Sequence, residues 1–144
     1  MKKGVILFIV VLVMIFITTA FATANSNEDI VKDLISQRTD TLGLYYAGKI
    51  NKKEAMTKIS SITTDFLKDE DLANLEKYFQ CDLEQLVDYK ITEINVNYSD
   101  EEVICAMVTI DWKANGLKGE DNFSHTYSVI CKKEEKMYKL AQFF

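Results

Sequence analysis

The sequence predicts an α+β domain in which N-terminal helices pack on one face of a four-stranded antiparallel sheet. Two observations predict this order. Apolar residues recur every three or four positions in the first half of the chain and every second position in the second half. These are the periods of amphipathic helices and of half-buried strands. Short turn-like segments separate the predicted strands, as is typical of an antiparallel meander.

An apolar leader helix is predicted before this domain, in the segment MKKGVILFIVVLVMIFITTAFATAN. Lys2 and Lys3 precede a long apolar stretch, and two A-x-A sites follow between positions 20 and 24. This is the pattern that signal peptidase recognises. The stretch is longer than a signal core of about 7–15 residues and shorter than the roughly 20 that span a bilayer. We therefore expect residues 1–25 to be a signal peptide or a retained N-terminal membrane anchor, and the domain to be exported in both cases.

Residues 26–144 are expected to form one acidic domain. The chain has 17 basic and 22 acidic residues and a formal net charge of −5. Because two lysines and none of the acids lie in the leader, the remainder carries −7. Binding to phosphates needs clustered cations, so we expect no nucleic-acid partner.

Three helices are predicted ahead of the strands. Ser26, with an acid three residues later, is typical of a helix start, and Gly48 is typical of a helix end. Asn51 starts a second helix, whose apolar spacing continues to Phe66. A third helical pattern covers residues 72–86, and a break near Gln80-Cys81-Asp82 is the alternative. These helices supply the apolar faces that would cover the sheet.

Four segments with alternating apolar residues follow the helices. Their apolar positions all fall on one face when each hairpin is given a suitable register, and a slip by one residue would turn an apolar row towards water. The three registers pair Trp112 with His125, Val129 with Leu140, and Val96 with Ile104. The residues predicted to face the helices include Tyr98, Trp112, Phe123, His125, Tyr127, Leu140, Gln142 and Phe144.

The element order and the last strand, KMYKLAQFF, resemble the NTF2-like (cystatin-like) superfamily over about Asp29 to Phe144. The resemblance implies a cone in which the helices and a curved sheet enclose a pocket. Members include isomerases, dehydratases, ligand-binding modules and exported accessory domains of bacterial surface systems. Because fold does not select among these activities, the site residues must be judged separately.

A ligand pocket is predicted at Trp112, His125, Tyr127 and Gln142, near the open end of the sheet. His125 is the only histidine in the chain and has the chemistry of a general base. Enzymes of the resembling family commonly pair such a histidine with an acid, but the predicted inward face contains no Asp or Glu. We therefore assign no catalytic residue. The alternative is an isomerase-type or dehydratase-type enzyme with His125 as its base.

The opposite face of the sheet carries an apolar strip, which predicts an interface. Its residues are Val103, Met107, Ile130 and Phe143. NTF2-like domains frequently dimerise through this face, so the resemblance implies a homodimer or an envelope protein partner. The membrane would be a further partner through the N-terminal segment if that segment is not cleaved.

No cofactor or metal is expected. The chain contains neither C-x-x-C nor H-E-x-x-H, and it has three cysteines, Cys81, Cys105 and Cys131. An odd number leaves at least one thiol free in an exported protein. The sequence thus predicts an extracytoplasmic, non-enzymatic NTF2-like module that binds a protein partner or a small apolar ligand at the bacterial cell envelope.

Overall fold

The computed structural model describes residues 26–78, 85–116 and 119–144. Its elements are the helices α1 (Asn27–Tyr46), α2 (Lys52–Ile62) and α3 (Asp65–Lys77) and the strands β1 (Gln85–Ser99), β2 (Val103–Gly116), β3 (Gly119–Glu134) and β4 (Met137–Phe143). The strands form one antiparallel sheet in the order β1-β2-β3-β4, and the helices pack on one of its faces. The predicted arrangement of three helices on a four-stranded antiparallel meander is confirmed.

The predicted leader, residues 1–25, lies outside the described residues. Within the three described ranges, no helix is both long enough and apolar enough to cross a bilayer.

Helix α1 begins and ends where its sequence indicates. The Ser26 hydroxyl accepts a hydrogen bond from the Asp29 backbone N–H, and the Asp29 carboxylate accepts one from the Ser26 N–H, at 3.1 and 3.2 Å. This capping box satisfies two N–H groups that would otherwise have no partner. Beyond the other end, Gly48 has a φ of 69°, a conformation that glycine adopts without strain.

Helix α2 ends at Ile62, earlier than predicted. Thr63 and Thr64 leave the helix in extended conformation and lie along the edge of β4. The Thr64 N–H donates to the Leu140 carbonyl at 2.8 Å. Pairing with β4 therefore replaces continuation of the helix. Phe66 belongs to α3 and is 74% exposed, so its predicted place on the buried face of α2 is wrong.

The third helical pattern is also divided between two elements. Helix α3 ends at Lys77, and β1 already begins at Gln85. Leu86 and Tyr89 are paired with Ala114 and Trp112 of β2, so these positions belong to the sheet. The predicted helix over residues 72–86 is wrong at Gln85 and Leu86, because pairing with the long strand β2 outweighs the local helical spacing; residues 79–84 lie outside the described residues.

Strands β2 and β3 form a ladder without any irregularity, from Val103 opposite Lys132 to Gly116 opposite Gly119. Trp112 lies opposite Phe123. The predicted pairing of Trp112 with His125 is therefore wrong by two residues. A shift of two keeps every side chain on its face, so burial alone does not distinguish the two registers.

A β-bulge between Ile130 and Cys131 changes the alternation of β4. Before the bulge, Leu140 lies opposite Cys131, whereas the sequence predicted Val129 as its neighbour. Leu140 and Ala141 are both buried, so the side chains after Ala141 point to the opposite faces from those predicted.

Two predicted positions are wrong for this reason. Phe143 lies opposite Val129 and packs against the core, although it was predicted to face outward. Gln142 is exposed opposite Ile130, although it was predicted to face the helices. Phe144, also predicted to face inward, is exposed.

Strand β1 contains three irregularities in its pairing with β2. The last of them, between Val96 and Tyr98, places Tyr98 opposite Cys105 and exposes its ring. The predicted inward position of Tyr98 is wrong. Val96 faces Ala106 and not Ile104 as predicted, because the hairpin closes with Ser99 opposite Ile104, and the bulge removes only part of the resulting shift.

One buried ion pair connects the helices to each other and to β4. The Arg38 guanidinium on α1 donates two hydrogen bonds to the Asp71 carboxylate on α3, at 2.6 and 2.7 Å. Asp71 is 1% exposed. The guanidinium also lies over the Phe143 ring, 5.1 Å from its centroid. Three separate elements thus meet at the only arginine in the chain.

Replacing Asp71→Ala is expected to lower the free energy of unfolding by about 3 kcal/mol, because it leaves a largely buried guanidinium without its partner. Urea denaturation measures this loss. The double variant Arg38→Met/Asp71→Leu removes both charges and should recover most of the lost stability. A loss below about 1 kcal/mol for Asp71→Ala would contradict the importance given to this pair.

Candidate functional site

A row of aromatic side chains crosses the helix-facing side of the sheet. We call Tyr89, Trp112, Tyr127 and Phe143, one from each strand, the aromatic row. Ring centroids are 5.8 Å apart for Tyr89 and Trp112, 6.1 Å for Trp112 and Tyr127, and 4.4 Å for Tyr127 and Phe143. These are distances at which aromatic pairs attract each other. The row is therefore one continuous apolar surface across all four strands.

His125 lies beside this row on β3. Its ring is 4.7 Å from the Tyr127 ring and is tilted towards it, and the residue is exposed. In the described part of the chain, the imidazole has no hydrogen bond or ion pair. Of the predicted pocket residues, the structure brings Trp112, Tyr127 and His125 together, and it places Gln142 on the other face.

Helix α1 approaches the row at its β1 end. The Tyr89 hydroxyl donates to the Asp40 carboxylate at 2.9 Å, and burial raises the pKa of Tyr89. Asp40 is thus a hydrogen-bond partner of Tyr89. Burial also raises the pKa of Tyr127. Both hydroxyls therefore stay protonated at neutral pH.

The Trp112 indole supplies a buried hydrogen-bond donor. Its Nε1 atom is buried and makes no hydrogen bond of ordinary geometry within residues 26–78, 85–116 and 119–144, but its N–H lies close enough to the Tyr127 hydroxyl to act against the effect of burial on the pKa of Tyr127. A buried donor without such a hydrogen bond is rare in folded proteins. An acceptor carried by a bound molecule would satisfy it.

The helices do not cover the far end of the sheet, which we call the open end. There Phe123 is 46% exposed and Leu86 is 38% exposed, although both belong to the helix-facing side. A shallow cavity of about 420 Å³ lies at this end, lined by Asp88, Tyr89, Lys90, Asp111, Trp112, Lys113, Asn122, Phe123 and Ser124. Six of these nine residues, Asp88, Lys90, Asp111, Lys113, Asn122 and Ser124, lie on the face away from the helices, so the cavity is on that face and not on the aromatic row.

Three of the four residues predicted for the interface lie on the expected face of the sheet. Val103, Met107 and Ile130 lie on the face away from the helices, and Phe143 does not. Phe144 replaces it: this residue is 69% exposed, and its backbone pairs with Ser128. We call the resulting surface the outer strip, formed by Val103, Cys105, Met107, Ile130 and Phe144.

The two described cysteines are free thiols in different surroundings. Cys105 is partly exposed on the outer strip. Cys131 is buried in the core, and burial raises its pKa to about 12. Its thiol therefore stays protonated and unreactive at neutral pH. Cys81 lies outside the described residues. In the part of the chain that the structure describes, no cluster of three His, Cys, Asp or Glu residues could hold a metal ion.

Sequence reasoning missed two members of the site. Tyr89 was assigned to the end of a helix, although its alternation with Ile91 was a signal for a strand. Arg38 contacts Phe143, although the two residues are more than 100 positions apart in the sequence. No local sequence pattern predicts such a contact.

The fold is distantly similar to solved structures. No family model and no curated protein matches the chain. Among solved structures, the intermembrane space region of the chloroplast protein ARC6 is similar, with a TM-score of 0.48 and 9% sequence identity. The match covers 79% of this chain and 92% of that one. Similarity at this level carries no argument about function.

Tyr127→Ala should expose Trp112 to solvent, because it removes the ring that packs edge-on against the indole. Trp112 is the only tryptophan, so its fluorescence reports this change without interference. We expect a red shift of the emission and stronger quenching by acrylamide. His125→Ala is the control, since the imidazole packs on Tyr127 and should leave the Trp112 emission in place. Equal spectra for both variants would show that the row does not shield Trp112.

Proposed function

We propose that this chain is an exported, non-enzymatic module with an NTF2-like cone fold that binds a protein partner or a small apolar ligand at the bacterial cell envelope. The observation that carries the proposal is the aromatic row, which contacts α1 at Tyr89 and at Phe143 and borders the open end of the sheet, where Phe123 is exposed. Rings of this kind offer a large apolar contact area that loses little conformational freedom on binding.

The polar groups at the row favour binding over chemistry. The Trp112 N–H is a buried donor that makes no hydrogen bond of ordinary geometry within the described ranges. Tyr127 supplies a protonated hydroxyl nearby. An apolar molecule with one acceptor group, such as a carbonyl or an ether, would bury its body on the rings and satisfy the indole.

The alternative, a small pocket enzyme with His125 as general base, has less support. A histidine base is normally oriented by a second group, and no described carboxylate contacts this imidazole. Asp40 is bound to Tyr89. Asp71, the buried acid of the helical layer, is bound to Arg38 on both oxygens.

The outer strip supports a protein partner or a homodimer in addition to the ligand. Met107 and Phe144 expose apolar surface on a face that no described helix covers. Export supports the envelope as the location and rests on residues 1–25, which also provide attachment to the membrane if they are retained.

Binding at the open end is tested with 1-anilinonaphthalene-8-sulfonate, an apolar fluorescent probe that carries acceptor groups. Excitation of Trp112 should sensitise the emission of the bound probe. Phe123→Ala should weaken binding about five- to tenfold, because it removes an exposed ring from the site. Phe66→Ala removes a similarly exposed ring on α3 and is the matched control.

Three results decide between the readings. Loss of affinity in Phe123→Ala but not in Phe66→Ala supports the proposed site. Equal effects of the two variants, or no binding by the unaltered chain, would contradict ligand binding at the open end. His125→Ala should keep its affinity within about twofold, since the proposal gives the imidazole no essential contact.

A further inference from the structure

The sheet has three stretches of edge, and two of them are protected. Residues 63–64 lie along β4, where Thr63 forms a bridge with Leu140 and is fully buried. Strand β1 carries three bulges along its edge. A covering segment and bulges are both devices that prevent an edge from pairing with another chain.

The third stretch is the part of β3 that β4 does not reach. Strand β4 pairs with β3 only as far as Val129, and Phe144 extends the pairing to Ser128. From Gly119 to Thr126, β3 has β2 on one side, every residue is exposed, and no described residue pairs with the other side. We call residues 119–127 the free edge.

The backbone groups of the free edge can be assigned. The Ser128 N–H and C=O both bond to Phe144, so they point towards β4. Because the β2–β3 ladder is regular, alternate residues point the same way. Asn122, Ser124 and Thr126 therefore present three N–H groups and three C=O groups outward, without partners among the described residues.

The free edge lacks the features that would protect it. Residues 122–128 read NFSHTYS, with no Asp, Glu, Lys, Arg or Pro. No bulge interrupts this part of β3 against β2. The two acids of the free edge, Glu120 and Asp121, lie together at its start. An edge that is long and regular and carries charge at one end only is a template for a further strand.

We propose that the free edge pairs with the same edge of a second copy of this chain, in antiparallel orientation, to form a continuous eight-stranded sheet. This interface is separate from the outer strip; it shares Phe123 with the proposed ligand site but requires no bound ligand. It is a two-fold symmetric contact in which one segment must complement itself.

Self-complementarity is the argument for a second copy. When Phe123 faces the partner's Phe123, His125 faces the partner's Asp121, and Ser124 faces the partner's Asn122. The contact then contains an aromatic pair at its centre and an imidazole beside a carboxylate on both sides, which are favourable cross-strand pairs. The domain carries a net charge of −7, so the repulsion between copies is least where the backbone and uncharged side chains meet.

The position of β4 also permits this arrangement. In the proposed register, residues 119–127 of each copy are paired, and pairing with β4 begins at Ser128. Each β4 therefore lies in line with the partner's β3 and does not overlap it. The free edge is therefore long enough to pair along its whole length with the same edge of a second copy.

Disulfide trapping of the full chain in membranes tests the proposal. Phe123→Cys, in a chain with Cys81→Ser and Cys105→Ser, should give an oxidised band at twice the mass of the reduced monomer in the same sample. Leu86→Cys is the matched control, since this residue is exposed to a similar degree on the same face but lies on β1. It should give at least tenfold less of that band.

A second pair of variants tests the pairing itself. Asn122→Lys/Ser124→Lys, added to Phe123→Cys, sets like charges opposite each other across the proposed interface and should reduce the band at least tenfold. Asn95→Lys/Asn97→Lys adds the same charge to β1 and should leave the band unchanged. The proposal is overturned if Phe123→Cys gives no more dimer than Leu86→Cys, if the edge lysines have no effect, or if the trapped species has a mass other than twice that of the reduced monomer.

Discussion

The regular β2–β3 ladder is the constraint on which the rest of the structure depends. Fourteen residue pairs run without a bulge from Val103 opposite Lys132 to Gly116 opposite Gly119. Regular alternation over this length keeps Trp112, Phe123 and Tyr127 on the helix-facing side and their neighbours on the other. It also directs alternate backbone groups of β3 to one edge. The aromatic row and the free edge are two consequences of the same alternation.

The second determinant is a difference in length between the layers. Strand β3 has 16 residues and extends over roughly 50 Å, whereas the 20 residues of α1 extend over about 30 Å. The helices and the 7-residue β4 therefore cover one end of the long hairpin only. At the covered end, the helices are held against the sheet by the contacts among Arg38, Asp71 and Phe143. At the other end, aromatic surface and unpaired backbone groups stay available for binding.

Sequence patterns predicted faces well and registers poorly. Alternation correctly placed Trp112, His125 and Tyr127 on one face of the sheet. The face that a side chain occupies in a regular strand depends only on whether its position is odd or even. A shift of two residues conserves that property, so the hairpin register could not be read from hydrophobicity. The bulge after Ile130 reverses Gln142 and Phe143 and has no signature in composition. Arg38 and Asp71, 33 positions apart, meet only because the helices pack together.

The register of the long hairpin is the central claim, and cross-strand nuclear Overhauser effects measure it most directly. Asp111 and Ser124 face each other at a position where the two strands do not exchange backbone hydrogen bonds. Their Hα atoms are therefore close together. The structure predicts a strong Hα–Hα effect between Asp111 and Ser124. A strong effect between Asp111 and Thr126 instead would establish the register shifted by two residues, and would contradict both the packing of the aromatic row and the geometry of the free edge.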